Sequence, residues 1–417
     1  MRKFRPELIQ ALSWLLMMLL LGASLGSPVF AGKKKKSDDQ PLKPPPVIDY
    51  SNIVWPNPPA VARIRYQAFY AAEKLSQVDT PKTKKQGWMD RLAGTQPASE
   101  NTKVLFQLGE PYGMAVDSKG NLYVADQKVG AIFIFNTETR EVELIKNKTH
   151  AHFVRIIGLA MDDNDRLFVS DPGLNHILVF NAKHEAEDVI TEGLVTPGGM
   201  AIDTENRLLY VTDIEQDQVL VYDADSLKLK RRMGTGGQKH ALTTPGDFAR
   251  PAAVAVDQEG NVYVADTLNN RIEIFDGDGK FISTFGKPGD GPGYFSRPKG
   301  VAVDGDGHIW VADGMQDRVQ VFTHDGQQLC ITFGGHGLLP GQFQGVVGVY
   351  IDKNNRVFTS EIYPGRVQQF RYVTDAEADK LQKEKEAQRE KKAAGGSGSQ
   401  VVPIPDPSAK AKAPQAN

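Results

Sequence analysis

An aspartate and an arginine stand five residues apart in the segment NVYVADTLNNRIEIF (261–275): Asp266 and Arg271. A carboxylate and a guanidinium at that distance form a candidate acid–base or anion-binding pair, because the arginine fork suits carboxylates and phosphates. The spacing recurs, with Arg318 after Asp313 and Arg366 after Glu361. Three cations in one register make a candidate arc for an anionic ligand or an acidic partner. A second reading is architectural: the carboxylate caps loop amides while the arginine packs on a neighbouring element. Other chemistry is thin. Cys330 is the single cysteine, so no disulfide forms within the chain. Its strand-like surroundings, LCITF, predict a small buried apolar residue. His150 and His152 sit close together in THAH but lack an evident third ligand for a metal. The glycine turn GTGG (234–237) has no strand-to-helix context for a phosphate loop, and no GxSxG or paired catalytic carboxylates stand out.

The elements that would position these side chains are written repeatedly. Segments of the type hAhD end at Asp117, Asp162, Asp203, Asp257, Asp304 and Asp352. Segments of the type YVAD end at Asp126, Asp171, Asp213, Asp266, Asp313 and, in the last copy, Glu361. Nine residues beyond each second acid stands an aromatic: Phe135, Phe180, Tyr222, Phe275, Phe322 and Phe370. Successive first acids are 45, 41, 54, 47 and 48 residues apart. Each copy reads as four strands. In the fourth, AVAVD, NVYVAD, RIEIFD and KFISTFG are joined by the turns QEGN and DGDG. Their near-continuous apolarity implies strands buried on both faces. A lone four-stranded unit of this period cannot bury both faces, but a ring of six can. The fold class is therefore all-β, a six-bladed β-propeller with four-stranded blades.

The last copy lacks a fourth strand, since RVQQFRYVTD runs straight into a charged segment. VARIRYQAFY (61–70) is the expected closing strand, and LFQL (105–108) is the competitor. The organisation that follows is a signal peptide over 1–31, a Lys/Pro-rich extended linker over 32–60, and a propeller over 61–373 with repeats from 103. A charged helix over 374–394 and a disordered tail over 395–417 complete it. The signal rests on MRKFR, the apolar run 11–26, and small Val29 and Ala31 before a cut. Lys33–Lys36 after the cut resist translocation, so a retained anchor stays an alternative. The chain is expected in the periplasm or outside the cell. The helix is announced by a capping box, Thr374 with Glu377. Gly, Ser, Pro and Ala dominate the tail.

The fourth and fifth copies, RPAAVAVDQEGNVYVADTLNNRIEIFDGDGKF (250–281) and RPKGVAVDGDGHIWVADGMQDRVQVFTHDGQQL (297–329), resemble the NHL repeat. The resemblance covers roughly residues 103–373, most loosely in the first two copies. It implies a ring whose function sits on the face opened by the loops between strands b and c and between strands d and a. Within that fold the peptide-amidating lyases hold zinc through histidines at the start of strand a. The matching positions here are Tyr112, Gly198, Ala252, Lys299 and Val347, none of them histidine. Lactonase-like propellers use channel carboxylates for calcium, and the sequence leaves room for a divalent metal such as calcium or zinc without assigning one. Some animal NHL rings bind RNA, but a formal charge of −2 and the export signal oppose nucleic acid here.

The loops PGDFARP (245–251), PGYFSRP (292–298) and PGQFQGV (340–346) share Pro-Gly-x-Phe. Their phenylalanines should plug the gaps between blades, while Tyr294 and Arg297 should face outward. The expected function is a non-catalytic platform, a monomeric ring binding a protein, a peptide or an envelope polymer. Arg271, Arg318, Arg366, Lys299, Tyr112, Tyr294 and Arg297 are the candidate contact residues. No cofactor is required by this reading, and membrane contact is confined to the signal segment. A metal-dependent lyase or lactonase, and a small-molecule or glycan sensor, are the alternatives.

Overall fold

The computed structural model describes residues 49–50, 52–72, 107–146, 151–236 and 244–394. Six antiparallel sheets follow the six repeats. The first blade contains β3 (Pro111–Val116), β4 (Leu122–Asp126), β5 (Ala131–Phe135) and β6 (Val142–Lys146); the second contains β7 (Leu159–Met161), β8 (Leu167–Asp171), β9 (His176–Phe180) and β10 (Ala186–Ile190). The third is β11 (Pro197–Asp203), β12 (Leu208–Asp213), β13 (Gln218–Asp223) and β14 (Leu229–Met233), and the fourth is β15 (Pro251–Val256), β16 (Val262–Asp266), β17 (Arg271–Phe275) and β18 (Phe281–Phe285). The fifth is β19 (Pro298–Val303), β20 (Ile309–Asp313), β21 (Arg318–Phe322) and β22 (Leu329–Gly334). The sixth takes β23 (Val346–Ile351), β24 (Arg356–Glu361) and β25 (Arg366–Tyr372) from the last repeat.

The sixth blade is finished by β2 (Ile64–Tyr70), which pairs with β25 from Ile64 opposite Tyr372 to Tyr70 opposite Val367. Ile64, Tyr66, Ala68 and Tyr70 of β2 are buried while Arg65, Gln67 and Phe69 are exposed. This alternation is what an outermost strand with one solvated face requires. Residues some 300 positions apart thereby share one sheet, for example Tyr70 and Gln369. Beyond β2 lies β1 (Val54–Trp55), paired with Arg65 and Ile64. The stretch expected to be linker up to residue 60 thus ends inside the sheet, with the Trp55 ring 5.4 Å from Phe333 and 5.9 Å from Phe370.

The two middle strands of each blade are almost wholly buried, so the apolar cores lie between neighbouring blades. Strand a of each blade lines the centre, where backbones approach closely. At Gly300 a side chain would come within 2.8 Å of the Val349 amide nitrogen, which explains the glycine. Cys330 departs from expectation. It lies on β22, an outermost strand whose residues alternate, and it is exposed. Partial burial of the thiol itself still pushes its pKa up, away from reactivity.

The helix α1 (Asp375–Ala394) follows β25. Its cap is reciprocal: the Glu377 amide donates to Thr374 Oγ1 at 3.3 Å and the Thr374 amide to Glu377 Oε2 at 3.2 Å. Among the described residues no helix is long and apolar enough to cross a membrane. The expected signal peptide (1–31), most of the linker and the tail (395–417) lie outside the described residues.

Candidate functional site

The repeated second acids are fully buried anchors for loops. Asp126 accepts the amides of Gly109 and Glu110 at 2.6 and 3.0 Å, and Asp171 those of Val154 and Arg155 at 2.7 and 2.9 Å. Asp213 takes Val195 and Thr196, Asp266 takes Ala249, Asp313 takes Ser296 and Arg297, and Glu361 takes Gln344. In every blade the carboxylate at the top of strand b holds the incoming d–a loop. A buried carboxylate fed by several amides is well satisfied, so the acids are structural.

The three arginines have a matching task, which corrects the expected outward arc. Arg271 and Arg366 are only 4% and 6% exposed. Arg271 Nε donates to Asp266 at 2.8 Å and its NH2 to the Asp247 carbonyl at 3.2 Å. Arg318 donates to the carbonyls of Asp290 and Gly291 at 2.9 and 2.8 Å. Arg366 grips Glu361 through two nitrogens at 3.0 and 3.1 Å and the carbonyls of Leu338 and Gln342 at 2.7 and 2.8 Å. Each guanidinium is turned into its own Pro-Gly-x-Phe loop; Arg271 and Arg366 are buried there, and Arg318 is half-buried. The loops are bolted a second time from strand c. Glu273, Gln320 and Gln368 accept the amides of Gly246, Gly293 and Gly341 at 2.9, 2.8 and 2.8 Å. Phe248, Phe295 and Phe343 are buried plugs, at 1%, 0% and 0% exposure. The arginine appears in the three blades that own a Pro-Gly-x-Phe loop. That co-occurrence was readable in the sequence and would have identified the clamp. Glu361 has an extra methylene over aspartate, and with it one carboxylate serves Arg366, Gln368 and the Gln344 amide.

With those arginines withdrawn, a different set of cations faces the centre. Arg155, Arg250 and Arg297 each stand sixteen residues before their second acid (Asp171, Asp266 and Asp313); Arg250 and Arg297 immediately precede strand a, and Arg155 stands four residues before it. All three side chains are exposed. Only Arg297 was singled out by sequence, because Arg250 and Arg155 were not aligned on the acid. Arg250 adopts φ 53°, the left-handed region, where the sixth loop has Gly345 at φ 67°. The Asp217 carboxylate holds the Arg250 amide at 2.7 Å, as Asp317 holds that of Gly345 at 2.6 Å. A non-glycine residue here carries backbone strain, the kind of departure found at functional positions.

Inside this rim lies a channel cavity of about 580 Å³, lined by strand a of the blades. Tyr112 and Lys299 line it as expected, together with Gln127, Arg155, Glu215 and Arg250. Its deeper wall is apolar, with Met114, Met200, Val254, Val301 and Val349 among its residues. Lys299 is half-buried, and among the described residues no carboxylate is paired with it or with Arg155, Arg250 or Arg297. Its pKa is lowered, first by burial and then by the charges of Arg297 and Arg250. Burial, then Glu110, raises the pKa of Tyr112. Glu215 is the one carboxylate among the described lining residues, which include no histidine or cysteine. Tyr294 is half-buried with the Lys287 ammonium 4.6 Å above its ring, so it serves its own loop more than the surface. His152 is exposed and His150 lies outside the described residues.

The same face carries exposed apolar side chains. Of the ten large hydrophobics exposed among the described residues, seven sit on d–a or b–c loops: Val154, Val195, Leu268, Met315, Leu338, Leu339 and Tyr363. The other three, Phe69, Val189 and Ile282, lie on outermost strands.

Residues 91–293 match the family described as SMP-30/Gluconolactonase/LRE-like region, and residues 247–404 match one described as 6-bladed beta-propeller. Among curated relatives, Protein lin-41 of Caenorhabditis elegans is 58% identical over 38 residues, 9% of this chain and 3% of that protein. NHL repeat-containing protein 2 of Bos taurus is 30% identical over 100 residues, 23% of this chain and 14% of that protein. The chain thus spans only a small part of the curated relatives it matches. A gluconolactonase structure from Xanthomonas campestris is similar with TM-score 0.48 and 21% identity, over 64% of this chain and 88% of that one. A likeness of that size carries no functional meaning for this chain. Six repeats folded into six sheets make the chain a six-bladed β-propeller, and its matches show that it is similar in sequence to NHL-repeat and SMP-30/gluconolactonase-like propellers.

Proposed function

We propose that the protein is a non-catalytic binding platform whose loop-rich face takes an acidic, apolar peptide segment of a partner. The observation that carries this is the composition of one face: exposed aliphatic and aromatic loop residues surround a mouth whose cations lack acidic partners among the described residues. Apolar patches on a rigid loop scaffold mark interaction sites, and unpaired cations at their centre select negative charge. The charged start and apolar run of residues 1–31 support a site of action outside the cytoplasm. The match to a gluconolactonase-like region favours a channel enzyme as the second reading. A single carboxylate, Glu215, lines the described channel, and this weighs toward binding.

Selection of a random displayed-peptide library against the purified protein tests the proposal. Enriched peptides should combine Asp or Glu, or a free carboxylate, with aliphatic residues. Their binding should be lost in Leu338→Ser/Leu339→Ser, whose side chains are 57% and 66% exposed and therefore dispensable for folding. Enrichment without acidic residues, or binding indifferent to the loop variant, overturns the reading. So does metal-dependent lactone hydrolysis that is abolished in Glu215→Gln.

A further inference from the structure

We infer that Lys299 is a carbonyl-capturing lysine: the channel mouth admits a small anionic aldehyde or 2-oxo acid and holds it as an imine on the Lys299 Nζ. Three observations of geometry lead there. Lys299 stands at the second position of β19, inside the cavity, where the corresponding residues of the other blades are Tyr112, Ile157, Gly198, Ala252 and Val347. It is the one amine in that ring. Its stem lies along Gly314, where an added methyl would meet the Lys299 Cγ at 3.4 Å, so it is laid over the neighbouring turn. No carboxylate neutralises the amine among the described residues, while Arg250 and Arg155 line the same cavity and Arg297 flanks it.

Such surroundings suit imine chemistry. Lysine nucleophiles are activated by desolvation and by an adjacent cation, and both lower the ammonium's pKa, the direction found here. The guanidinium groups that disfavour the ammonium would hold the carboxylate or phosphate of the incoming compound. The step balances without an external redox agent. Lys299 gives its proton to solvent, and the amine lone pair then attacks the carbonyl carbon. The nitrogen's two remaining protons pass by way of solvent to the former carbonyl oxygen, which leaves as water, and the imine nitrogen takes back the proton first given to solvent. A cavity of about 580 Å³ falls in the range of small-ligand sites, and its apolar wall would take the organic part of the ligand.

The experiment uses pyridoxal 5′-phosphate, an anionic aldehyde, on the full chain, with borohydride to fix any imine as a secondary amine and peptide mapping to locate it. At limiting reagent and neutral pH, Lys299 should be labelled before every other lysine. Its labelling should persist to a lower pH than theirs. Arg250→Gln should slow labelling at Lys299 roughly fivefold while leaving other lysines unchanged. Labelling spread evenly over surface lysines, or a Lys299 rate unmoved by Arg250→Gln, overturns the inference. The mapping is done on the native protein, so it does not depend on a Lys299→Arg variant folding. The inference also stands apart from peptide binding: Leu338→Ser/Leu339→Ser should lose the peptide and keep the label.

Discussion

Glu273 offers a stringent check on how the loop clamp is built. Its carboxyl is fully buried in β17, at the place taken by Gln320 and Gln368 in the next two blades. One oxygen accepts the Gly246 amide at 2.9 Å; the other lies 3.1 Å from Arg271 without hydrogen-bond alignment. Burial outweighs both contacts and pushes the pKa up to about 7 from 4.5. The sign follows directly. A raised acid holds in the folded state a proton that the unfolded chain has released. Between about pH 4.5 and 7 stability therefore falls as pH rises, and the loss is complete above the folded value. At 1.36 kcal/mol per unit the difference amounts to about 3 kcal/mol. With an unfolding entropy of about 2.1 cal/mol/K per residue over roughly 300 residues, that is near 5 °C in melting temperature. Glu273→Gln supplies the neutral acceptor used by the sister blades. Melting of the two proteins at pH 5 and pH 8 should show near-equality at pH 5 and an advantage of about 5 °C for the variant at pH 8. A constant difference across pH, or a variant less stable at pH 8, would refute the view that this charge is a burden offset by its neighbours.

Two further outcomes follow from the same construction. Arg366→Gln should destabilise strongly, by about 3–5 kcal/mol in a denaturant titration, because it strands the fully buried Glu361 carboxylate; a change under 1 kcal/mol would return Arg366 to the candidate ligand contacts. His308 has its pKa raised, first by the hydrogen bond to Asp304. Its stabilising contribution is present in full below the unfolded value near 6.5 and is lost as pH rises through the folded value. His308→Gln should remove that segment of the stability–pH curve, and an unchanged curve would show the pair to be idle.

Much of the fold was legible because ring geometry forces repetition. Each blade must anchor an incoming loop, and the acids ending YVAD recur for that reason. The closing strand was legible from a missing fourth strand and a spare amphipathic segment. What escaped has a physical cause. The strand-like run LCITF predicts a buried Cys330, yet an outermost strand exposes alternate residues whatever their polarity. Val54–Trp55 was hidden among prolines, which signal extended chain but not whether that chain finds a sheet edge. The arginines of strand c were read as a surface arc, since spacing along a strand does not reveal which loop folds over it. Arg155 and Arg250 were passed over because a loop position acquires meaning only when counted from the acid that ties it down.

The division between architecture and site can be argued from which repeats depart. Positions identical in kind in every blade, such as the second acids, are buried and held by backbone and side-chain donors of their own blade, which leaves them little for a ligand. Clamp positions shared by three blades are spent on the loops those blades share. The residues with unspent capacity are those at which a blade differs from its neighbours. Lys299 replaces small or neutral residues, and Arg250 accepts a left-handed backbone that the sixth blade gives to Gly345. Neither choice helps the blade that makes it: one leaves a half-buried amine without a carboxylate among the described residues, the other strains a loop. Costs of this kind, gathered at one channel mouth, are why we propose that function lies in the ring's asymmetry and stability in its symmetry.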